Sequence, residues 1–327
     1  MNPPEGGGGR PVEAASGLAE LGAEAARGRT SYGADAMIMC DRLVRIYQAE
    51  GIEVQALQGL DLVVDRAELT AVVGASGSGK STLMNILAGL DVPTAGGVRV
   101  AGHDLTALTS KERTEYRRQA VGFIWQQTSR NLLPYLTGRQ NVLMPMEFSA
   151  VPRRVRANRV DELLGMLEVG HCADRTPDRM SGGEQQRVAI ATALANEPEV
   201  LLADEPTGEL DSHTARSVFA ALQTANAELG VTILVVTHDP ELSNQVRRTV
   251  AIRDGRTSSE TLRRRSADDD GTTAHHAVEY ALVDRAGRVQ LPRDMMEPLE
   301  IKDRVRLEAE PDHIGLWPDQ QSDSERQ

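Results

Sequence analysis

A run of nine residues has the composition of a phosphate-binding loop. It follows an apolar segment, 69–73, and precedes a helix-like segment, 83–88. Glycines let successive amide N–H groups turn toward an anion at the positive end of the following helix. The lysine can reach phosphate oxygens, and the hydroxyl after it can bind Mg²⁺. The pattern therefore predicts a site for a nucleotide polyphosphate. Its residues are Gly74, Ala75, Ser76, Gly77, Ser78, Gly79, Lys80, Ser81 and Thr82.

Two adjacent carboxylates end an apolar segment later in the chain. Residues 200–203 are apolar, and Asp204 and Glu205 follow them directly. Because adjacent carboxylates repel each other, their position at the end of a buried strand indicates a nearby cation. Next to a phosphate-binding loop, we expect Asp204 to serve the Mg²⁺ shell and Glu205 to polarise an attacking water.

Two polar side chains follow other apolar segments. Gln126 comes after 121–124, and His238 comes after 231–236. If these segments are parallel strands, their carboxyl ends meet at one edge of a sheet, which would bring His238 to the phosphates. Gln126 taken alone fits a solvated loop as well as a metal-facing amide.

Two further motifs leave alternatives open. Ser181, Gly182 and Gly183 begin a helical pattern, where they could form a second anion site or an ordinary helix cap. Tyr47 lies near the end of a predicted strand, where its ring could stack on adenine or simply pack against its neighbours.

Composition limits the classes of function. The 327 residues suffice for about two domains. A formal net charge of −12 argues against broad nucleic-acid binding. Cys40 and Cys172 lie far apart without metal-like spacing, so we expect neither a disulfide nor a zinc site, and a reducing cytoplasm fits. The apolar runs fall well short of the roughly 18 residues that span a bilayer, so any membrane role is expected to act through a partner.

Composition also suggests a division of the chain. Residues 1–35 are rich in Gly, Ala and Glu, which predicts disorder. An ordered domain is expected over 36–258, with a helical subdomain between about 141 and 179. The charged residues of 259–276 predict a flexible linker. A small compact segment is expected over 277–320, followed by a tail, 321–327.

In order and spacing, these motifs resemble those of the nucleotide-binding subunits of ABC transporters, over about residues 36–258. The resemblance implies an α/β P-loop NTPase fold with a helical subdomain. Segments 201–208 and 122–134 are most similar to the branch that contains LolD, MacB and FtsE proteins. That branch implies an ATPase that drives a permease in exporting compounds, extracting lipoproteins or transmitting force.

The resemblance also implies roles for individual residues. Tyr47 would stack on adenine, His238 would contact the γ-phosphate, and Glu205 would be the general base. Gln126 would join Ser81 and Asp204 around Mg²⁺, although an insertion before Asn131 leaves Gln127 as an alternative. Ser181, Gly182 and Gly183, with Glu184 beside them, would clamp the γ-phosphate of an ATP that is bound to the other copy.

The implied partners are a second copy of the chain and an FtsX- or MacB-like permease. The implied location is the cytoplasmic side of the cell membrane, with the chain held there through the permease.

The segment after 277 resembles the AbrB/SpoVT-type swapped-hairpin domain, whose members are intertwined dimers and often bind DNA. From 279 to 319 the sequence has six basic residues and ten acidic ones, the opposite of what phosphate neutralisation needs. We therefore expect a dimer clasp. A DNA-associated regulatory ATPase is the alternative.

Overall fold

The computed structural model describes residues 36–49, 52–149, 151–267, 273–283, 287–291, 293–301, 304–310 and 313–318. Both the predicted disordered segment, 1–35, and the tail, 321–327, lie outside these ranges.

The described strands, in chain order, are β1 (Ile38–Ala49), β2 (Ile52–Val64), β3 (Leu69–Val73), β4 (Ala95–Val100), β5 (His103–Asp104), β6 (Val121–Ile124), β7 (Val200–Asp204), β8 (Thr232–Val236), β9 (Arg248–Arg253), β10 (Arg256–Ala267), β11 (Thr273–Ala281), β12 (Val305–Ala309) and β13 (Ile314–Pro318). The described helices are α1 (Lys80–Leu87), α2 (Ser110–Gln119), α3 (Gly138–Glu147), α4 (Arg153–Met166), α5 (Gly182–Leu194), α6 (Ser212–Leu229), α7 (Pro240–Ser243) and α8 (Arg293–Met296).

A central sheet of seven strands has the order β11-β10-β9-β3-β8-β7-β6. Strands β9, β3, β8, β7 and β6 are parallel to their neighbours within this group. The carboxyl ends of β3, β8, β7 and β6 therefore lie at one edge. Strands β7 and β8 are almost wholly apolar and buried, as expected for parallel strands that are covered on both faces.

Two hydrophobic layers cover the central sheet. In β7, Leu201 and Ala203 belong to one core cluster, while Leu202 belongs to the other. This alternation follows from the twofold period of a strand. The first layer contains side chains of α3 to α6, and the second contains α1 and an antiparallel sheet of order β2-β1-β4-β5. The two layers fix the sheet edge and therefore the loops that leave it.

A helical region separates β6 from β7 in the chain. It contains α3, α4 and α5, and the short 3₁₀ turns Gly170–Cys172 and Pro177–Arg179 precede α5. Val160, Leu163 and Leu164 of α4 are buried, which matches the helical spacing of the apolar residues in this part of the sequence.

Where the structure describes the charged segment predicted as a flexible linker, at 259–267 and 273–276, the chain forms strands. Strand β10 runs through Ala267, and β11 begins at Thr273, so both lengthen the central sheet beyond residue 258. The prediction from charge fails there because β10 pairs with β9 on one side and β11 on the other, and because Arg263 has side-chain partners in the fold. The Arg263 guanidinium donates to Thr249 Oγ1 at 2.7 Å and to Asn244 Oδ1 at 2.7 Å.

Helix α6 has a side-chain cap that can be tested. The Asp211 carboxylate accepts hydrogen bonds from the N–H groups of His213 and Thr214, each at 3.0 Å. We expect Asp211→Ala to lower the free energy of unfolding, because two amide groups at the helix start lose their acceptor. Asp211→Asn keeps a side-chain oxygen and serves as the control. Equilibrium urea unfolding measures the effect, and equal stability of the Ala and Asn variants would contradict it.

Within the described residues, no helix has both the length and the apolar character needed to cross a bilayer.

Candidate functional site

The glycine-rich loop connects β3 to α1 and leaves hydrogen-bonding groups available for an anion. Lys80 Nζ donates to the carbonyls of Gly74 at 2.7 Å and Ala75 at 2.9 Å. Helix α1 begins after Gly79, whose φ is 104°, and no side chain caps its first N–H groups. The buried Ser78 hydroxyl has no hydrogen-bond partner among the described residues. A phosphate group would satisfy these donors, so the loop fits the polyphosphate predicted from the sequence.

The end of β9 and the turn between β9 and β10 contact the backbone of this loop. The Gly255 N–H donates to the Ser78 carbonyl at 3.0 Å. A Cβ on Gly74 would lie 2.3 Å from the Ile252 carbonyl oxygen, so only glycine fits there without a backbone shift. Asp254 and Gly255 have φ values of 49° and 70°, which is the backbone of a two-residue hairpin turn. The sequence analysis missed this support, although Asp-Gly between two strand-like segments is a hairpin signal.

Three polar side chains meet at the carboxyl ends of β6, β7 and β8. Glu205 Oε2 accepts a hydrogen bond from Gln126 Nε2 at 3.0 Å and lies 3.2 Å from His238 Nδ1. Glu205 follows β7 with a φ of 46°, in the left-handed region that non-glycine residues seldom occupy. This backbone turns its side chain toward the two neighbouring strand ends. The carboxylate is therefore held between an amide and an imidazole.

Asp204 ends β7 and interacts electrostatically with both Glu205 and Lys80 of the phosphate-binding loop. Burial raises the pKa of the Asp204 carboxyl, the adjacent Glu205 acts in the same direction, and Lys80 opposes both. A carboxylate that is partly desolvated beside a second carboxylate is stabilised by a bound cation. Asp204 and the exposed Ser81 hydroxyl thus have the chemistry that Mg²⁺ prefers.

The structure brings Gln126, rather than Gln127, to Glu205. Asn131 holds the segment after β6, because its side chain accepts from the Trp125 N–H at 2.8 Å and donates to the Trp125 carbonyl at 3.0 Å. Gln127 precedes the short turn Thr128–Arg130, and its carbonyl accepts from Asn131 Nδ2 at 3.4 Å.

The Ser-Gly-Gly segment caps α5. Ser181 and Glu184 form a capping box, in which each side chain bonds the other residue's N–H group. Close packing explains the two glycines. A Cβ on Gly182 would lie 3.0 Å from Leu210 Cδ2, and one on Gly183 would lie 2.4 Å from Thr214 Cγ2. The capping box uses the N–H groups of Ser181 and Glu184, so the N–H groups of the two glycines remain available at the helix start. The helix cap is therefore compatible with anion binding by this segment.

Glu184 makes contacts that the sequence did not predict. Its Oε1 lies 2.6 Å from His171 Nε2, and its Oε2 accepts from the Ser181 N–H at 2.7 Å and the Ser181 hydroxyl at 2.9 Å. The hydrogen bond from His171, followed by the bond from the Ser181 backbone, lowers the pKa of Glu184 to about 2. The side chain is therefore ionised at neutral pH.

Tyr47 lies on β1 beside the phosphate-binding loop. Tyr47 is paired with Val54 of β2. Two residues further along β2, the Ala56 carbonyl packs closely against Gly79 of the loop, where it would lie 2.5 Å from an added Cβ. Strand β2 therefore connects the position of Tyr47 to the loop. The Tyr47 hydroxyl donates to Asp91 Oδ2 at 2.7 Å, and the Arg45 guanidinium carbon lies 4.5 Å from the ring centroid. The ring is 36% exposed, so part of it remains accessible.

Comparison with known proteins agrees with this geometry. The model of the ABC transporter family matches residues 57–208. Two solved dimeric structures of the ATP-binding cassette MJ0796, one of them a post-hydrolysis state bound to ADP and Pi, are 38% identical, with a TM-score of 0.62. The match covers 68% of this chain and 97% of that cassette. This chain belongs to the ABC transporter family.

Other relatives contain the same cassette within longer chains. The macrolide export ATP-binding/permease protein MacB of Shigella flexneri is 46% identical over 211 residues, and that of Syntrophobacter fumaroxidans is 45% identical over 213 residues. Each match covers 64% of this chain. The chain spans about a third of these relatives, with 32% and 30% of their lengths covered. The structure of cbiO1 from Clostridium perfringens is 28% identical, with a TM-score of 0.63, over 68% of this chain and 87% of that one.

In this ABC cassette, the predicted site residues other than Tyr47 form two groups. The loop from Gly74 to Thr82, together with Gln126, Asp204, Glu205 and His238, lies along the carboxyl ends of adjacent parallel strands. The signature residues from Ser181 to Glu184 begin α5 and pack against the segment around Leu210 and Thr214.

Proposed function

We propose that this chain binds and hydrolyses Mg-ATP as the ATPase subunit of an ABC transporter. The observation that carries the proposal is the contact of Glu205 with both Gln126 and His238, at the sheet edge that also carries the phosphate-binding loop. A carboxylate fixed in this way can accept a proton from a water next to the terminal phosphate. Family membership and the ADP-bound relative support the same activity.

Different residues of the chain bind the phosphates, the adenine, the Mg²⁺ and the attacking water. Loop amides and Lys80 bind and orient the phosphates, and Tyr47 contacts the adenine. Ser81, Gln126 and Asp204 hold Mg²⁺, which when bound neutralises phosphate charge. Glu205 orients the water and accepts its proton. His238 bonds the γ-phosphate and keeps the Glu205 carboxylate in position.

Two copies of the chain complete each other's sites in this proposal. Ser181, Gly182 and Gly183 of one copy bind the γ-phosphate of the ATP on the other copy, with Glu184 fixing the serine through the capping box. The dimeric solved relatives support this arrangement. Asp211 lies between Leu210 and Thr214, the two residues that pack on these glycines, and would link the two sites.

The proposed partner is a permease of the FtsX or MacB type, and the proposed location is the inner face of the cell membrane. Support comes from the relatives named as ATP-binding/permease proteins, which join both functions in one chain. The acidic excess after 279 argues against the alternative of a DNA-associated regulatory ATPase.

Phosphate release by the purified full-length chain tests the proposed activity. We expect turnover with Mg-ATP and loss of turnover when Mg²⁺ is chelated. Absence of turnover at any protein concentration, despite nucleotide binding, would argue against an autonomous ATPase. Capture of a membrane protein with FtsX- or MacB-like segments from solubilised membranes tests the partner.

We also propose that the end of the chain is a dimer clasp of the AbrB-like type. Strands β12 and β13 pair antiparallel, with Leu307 opposite Leu316 and Ala309 opposite Ile314. Residues directly opposite each other share a face, so one face of this hairpin is apolar. Its members are Val305, Leu307, Ala309, Ile314, Leu316 and Pro318.

This apolar face is open to solvent in the single chain. Leu307 is 64% exposed and Ile314 is 69% exposed. A two-stranded hairpin on its own is marginally stable in water, so its apolar face requires a cover. A second copy of the chain is the proposed cover, because it would already be held nearby by the ATP-dependent dimer. The clasp would keep the two cassettes together when their ATP sites open.

A charge placed on the apolar face tests the clasp. We expect the wild type to be a dimer without nucleotide and the double variant L307D/I314D to be a monomer, because two carboxylates would be buried in the interface. Arg306→Asp changes charge on the opposite face of the hairpin and should remain a dimer. Light scattering on nucleotide-free protein gives the mass. A monomeric wild type, or a dimeric double variant, would rule out the clasp.

A further inference from the structure

Three side chains with metal-binding atoms lie together beside the start of α5. His171 Nε2 is 2.6 Å from Glu184 Oε1, and the Cys172 thiol lies beside the same carboxylate. The imidazole nitrogen, the sulfur and the carboxylate oxygen all lie within 4.8 Å of one another. Linear spacing gave no sign of this group, because the 11 residues 173–183 separate Cys172 from Glu184.

We propose that His171, Cys172 and Glu184 form a binding site for one Zn²⁺ ion. Imidazole, thiolate and carboxylate are the usual ligands of Zn²⁺, whereas Mg²⁺ prefers an all-oxygen shell. Bonds of about 2.0–2.3 Å place tetrahedral ligands about 3.3–3.7 Å apart, so shifts of about 1 Å would convert the cluster into a site. A water would take the fourth position. On binding, the Cys172 thiol releases its proton to solvent and the sulfur binds as the thiolate.

The backbone positions two of the ligands, of which one is exposed to solvent and the other is buried. His171 and Cys172 belong to the 3₁₀ turn Gly170–Cys172, where the Cys172 N–H donates to the Val169 carbonyl at 2.9 Å. Cys172 is buried, whereas the His171 side chain is 51% exposed. A metal ion therefore reaches the cluster from the His171 side, and the imidazole is the first ligand that it meets.

Two arginines oppose the binding of any cation here. Arg175 Nη1 lies 3.9 Å from Glu184 Oε1, and both Arg175 and Arg187 act electrostatically on the Cys172 thiol. Charge attraction alone therefore cannot hold a metal ion at this place. An ion that forms strong bonds to sulfur and nitrogen is favoured, which selects Zn²⁺ over Mg²⁺ even when Mg²⁺ is abundant.

Metal binding would change the signature segment. Glu184 uses Oε1 toward His171, while its Oε2 holds the N–H and hydroxyl of Ser181. A metal bound to this carboxylate shifts it relative to Ser181, the residue proposed to bind the γ-phosphate. Zn²⁺ should therefore inhibit ATP turnover. This consequence rests on the proposed function, whereas metal binding itself does not.

Cobalt provides a direct test of the ligands, because tetrahedral Co²⁺ absorbs in the visible range and a Co²⁺–thiolate bond adds a near-ultraviolet band. Co²⁺ is titrated into the reduced full-length chain without nucleotide. We expect both absorptions to saturate at one equivalent per chain, and one equivalent of Zn²⁺ to remove them. A wild type without the thiolate band, or with several equivalents needed for saturation, would overturn the proposal.

Matched variants identify the residues. Cys172→Ser should remove the thiolate band, and His171→Ala should weaken Co²⁺ affinity about tenfold or more. Cys40→Ser replaces the other buried cysteine, in the other core cluster, and His213→Ala replaces an exposed histidine at the start of α6; both should titrate as the wild type does. Because Cys172 is buried and its variant could misfold, the exposed His171 provides the second test. A band that survives in C172S, or full affinity in H171A, would overturn the assignment.

Inhibition is measured separately, with Mg²⁺ in excess over ATP. We expect Zn²⁺ to lower turnover of the wild type and of Cys40→Ser, and His171→Ala to need about tenfold more Zn²⁺ for the same loss. Equal sensitivity of these three proteins would refute the inhibitory role. A wild type that does not hydrolyse ATP would count against the proposed function, while the cobalt spectra would still decide the metal site.

Discussion

Glu205→Gln is expected to lower the rate of ATP hydrolysis by about 10²- to 10⁴-fold, the contribution of a positioned general base. Glu205 Oε2 lies 3.2 Å from His238 Nδ1 and accepts from Gln126 at 3.0 Å, so the carboxylate is already oriented in the single chain. The amide has nearly the same shape but cannot accept the proton of the attacking water. Nucleotide binding should therefore survive while turnover is lost.

The same variant should keep two nucleotide-bound cassettes closed on each other, because hydrolysis is the step that opens the ATP sites in the proposed cycle. Single-turnover phosphate release measures the chemical step. Size-exclusion chromatography with Mg-ATP, in the L307D/I314D background that lacks the clasp, measures the dimer that the closed sites form. Glu209→Gln removes the same charge from an exposed position four residues later and should hydrolyse ATP normally. A Glu205→Gln enzyme with normal turnover would exclude this residue as the base.

Lys80→Ala should weaken ATP binding by about ten- to hundredfold, the equivalent of about 1.5–3 kcal/mol for hydrogen bonds to a charged group. In the structure, Lys80 Nζ donates to the carbonyls of Gly74 and Ala75, within the loop that would hold the phosphates. The alanine variant loses the charge that reaches the phosphate oxygens, while the loop amides remain.

Isothermal titration with ATP measures this loss. Lys111→Ala removes a lysine from the exposed surface of α2 and should bind ATP as the wild type does. Circular dichroism checks that both variants are folded, since the Lys80 variant also loses two hydrogen bonds to the loop backbone. Unchanged affinity in a folded Lys80→Ala protein would remove this side chain from the phosphate site.

Local patterns predicted much of the candidate site. The run from Gly74 to Thr82 identified the phosphate-binding loop. Glycine, lysine and hydroxyl residues at this fixed spacing, between a strand and a helix, are typical of loops that bind nucleotide phosphates. The apolar residues before Asp204 and before His238 predicted buried parallel strands. Parallel pairing of β7 with β8, with Asp204 opposite Val236, then brings the two strand ends together.

Charge patterns were less informative than apolar patterns. The arginines at 263–265 suggested a flexible linker, but these residues continue β10 and pair with residues 275–277 of β11. Arg248 is similar, since its guanidinium is held by Glu260 at 2.7 Å and by the Val63 carbonyl at 2.7 Å. A charged residue predicts an exposed position only when the fold offers no hydrogen-bond or ion-pair partner for its side chain. Partners on distant strands cannot be predicted from the spacing of residues along the sequence.

The amino-acid sequence by itself determined the nucleotide loop, the paired carboxylates and the ABC-type order of motifs, because each depends on residues that are neighbours in the chain. Tertiary structure decided which glutamine contacts Glu205, how the β9–β10 turn supports the loop, and that His171 and Cys172 meet Glu184. It also decided that β10 and β11 extend the sheet. These features depend on contacts between segments far apart in the chain, which form only when the two hydrophobic layers close over the central sheet.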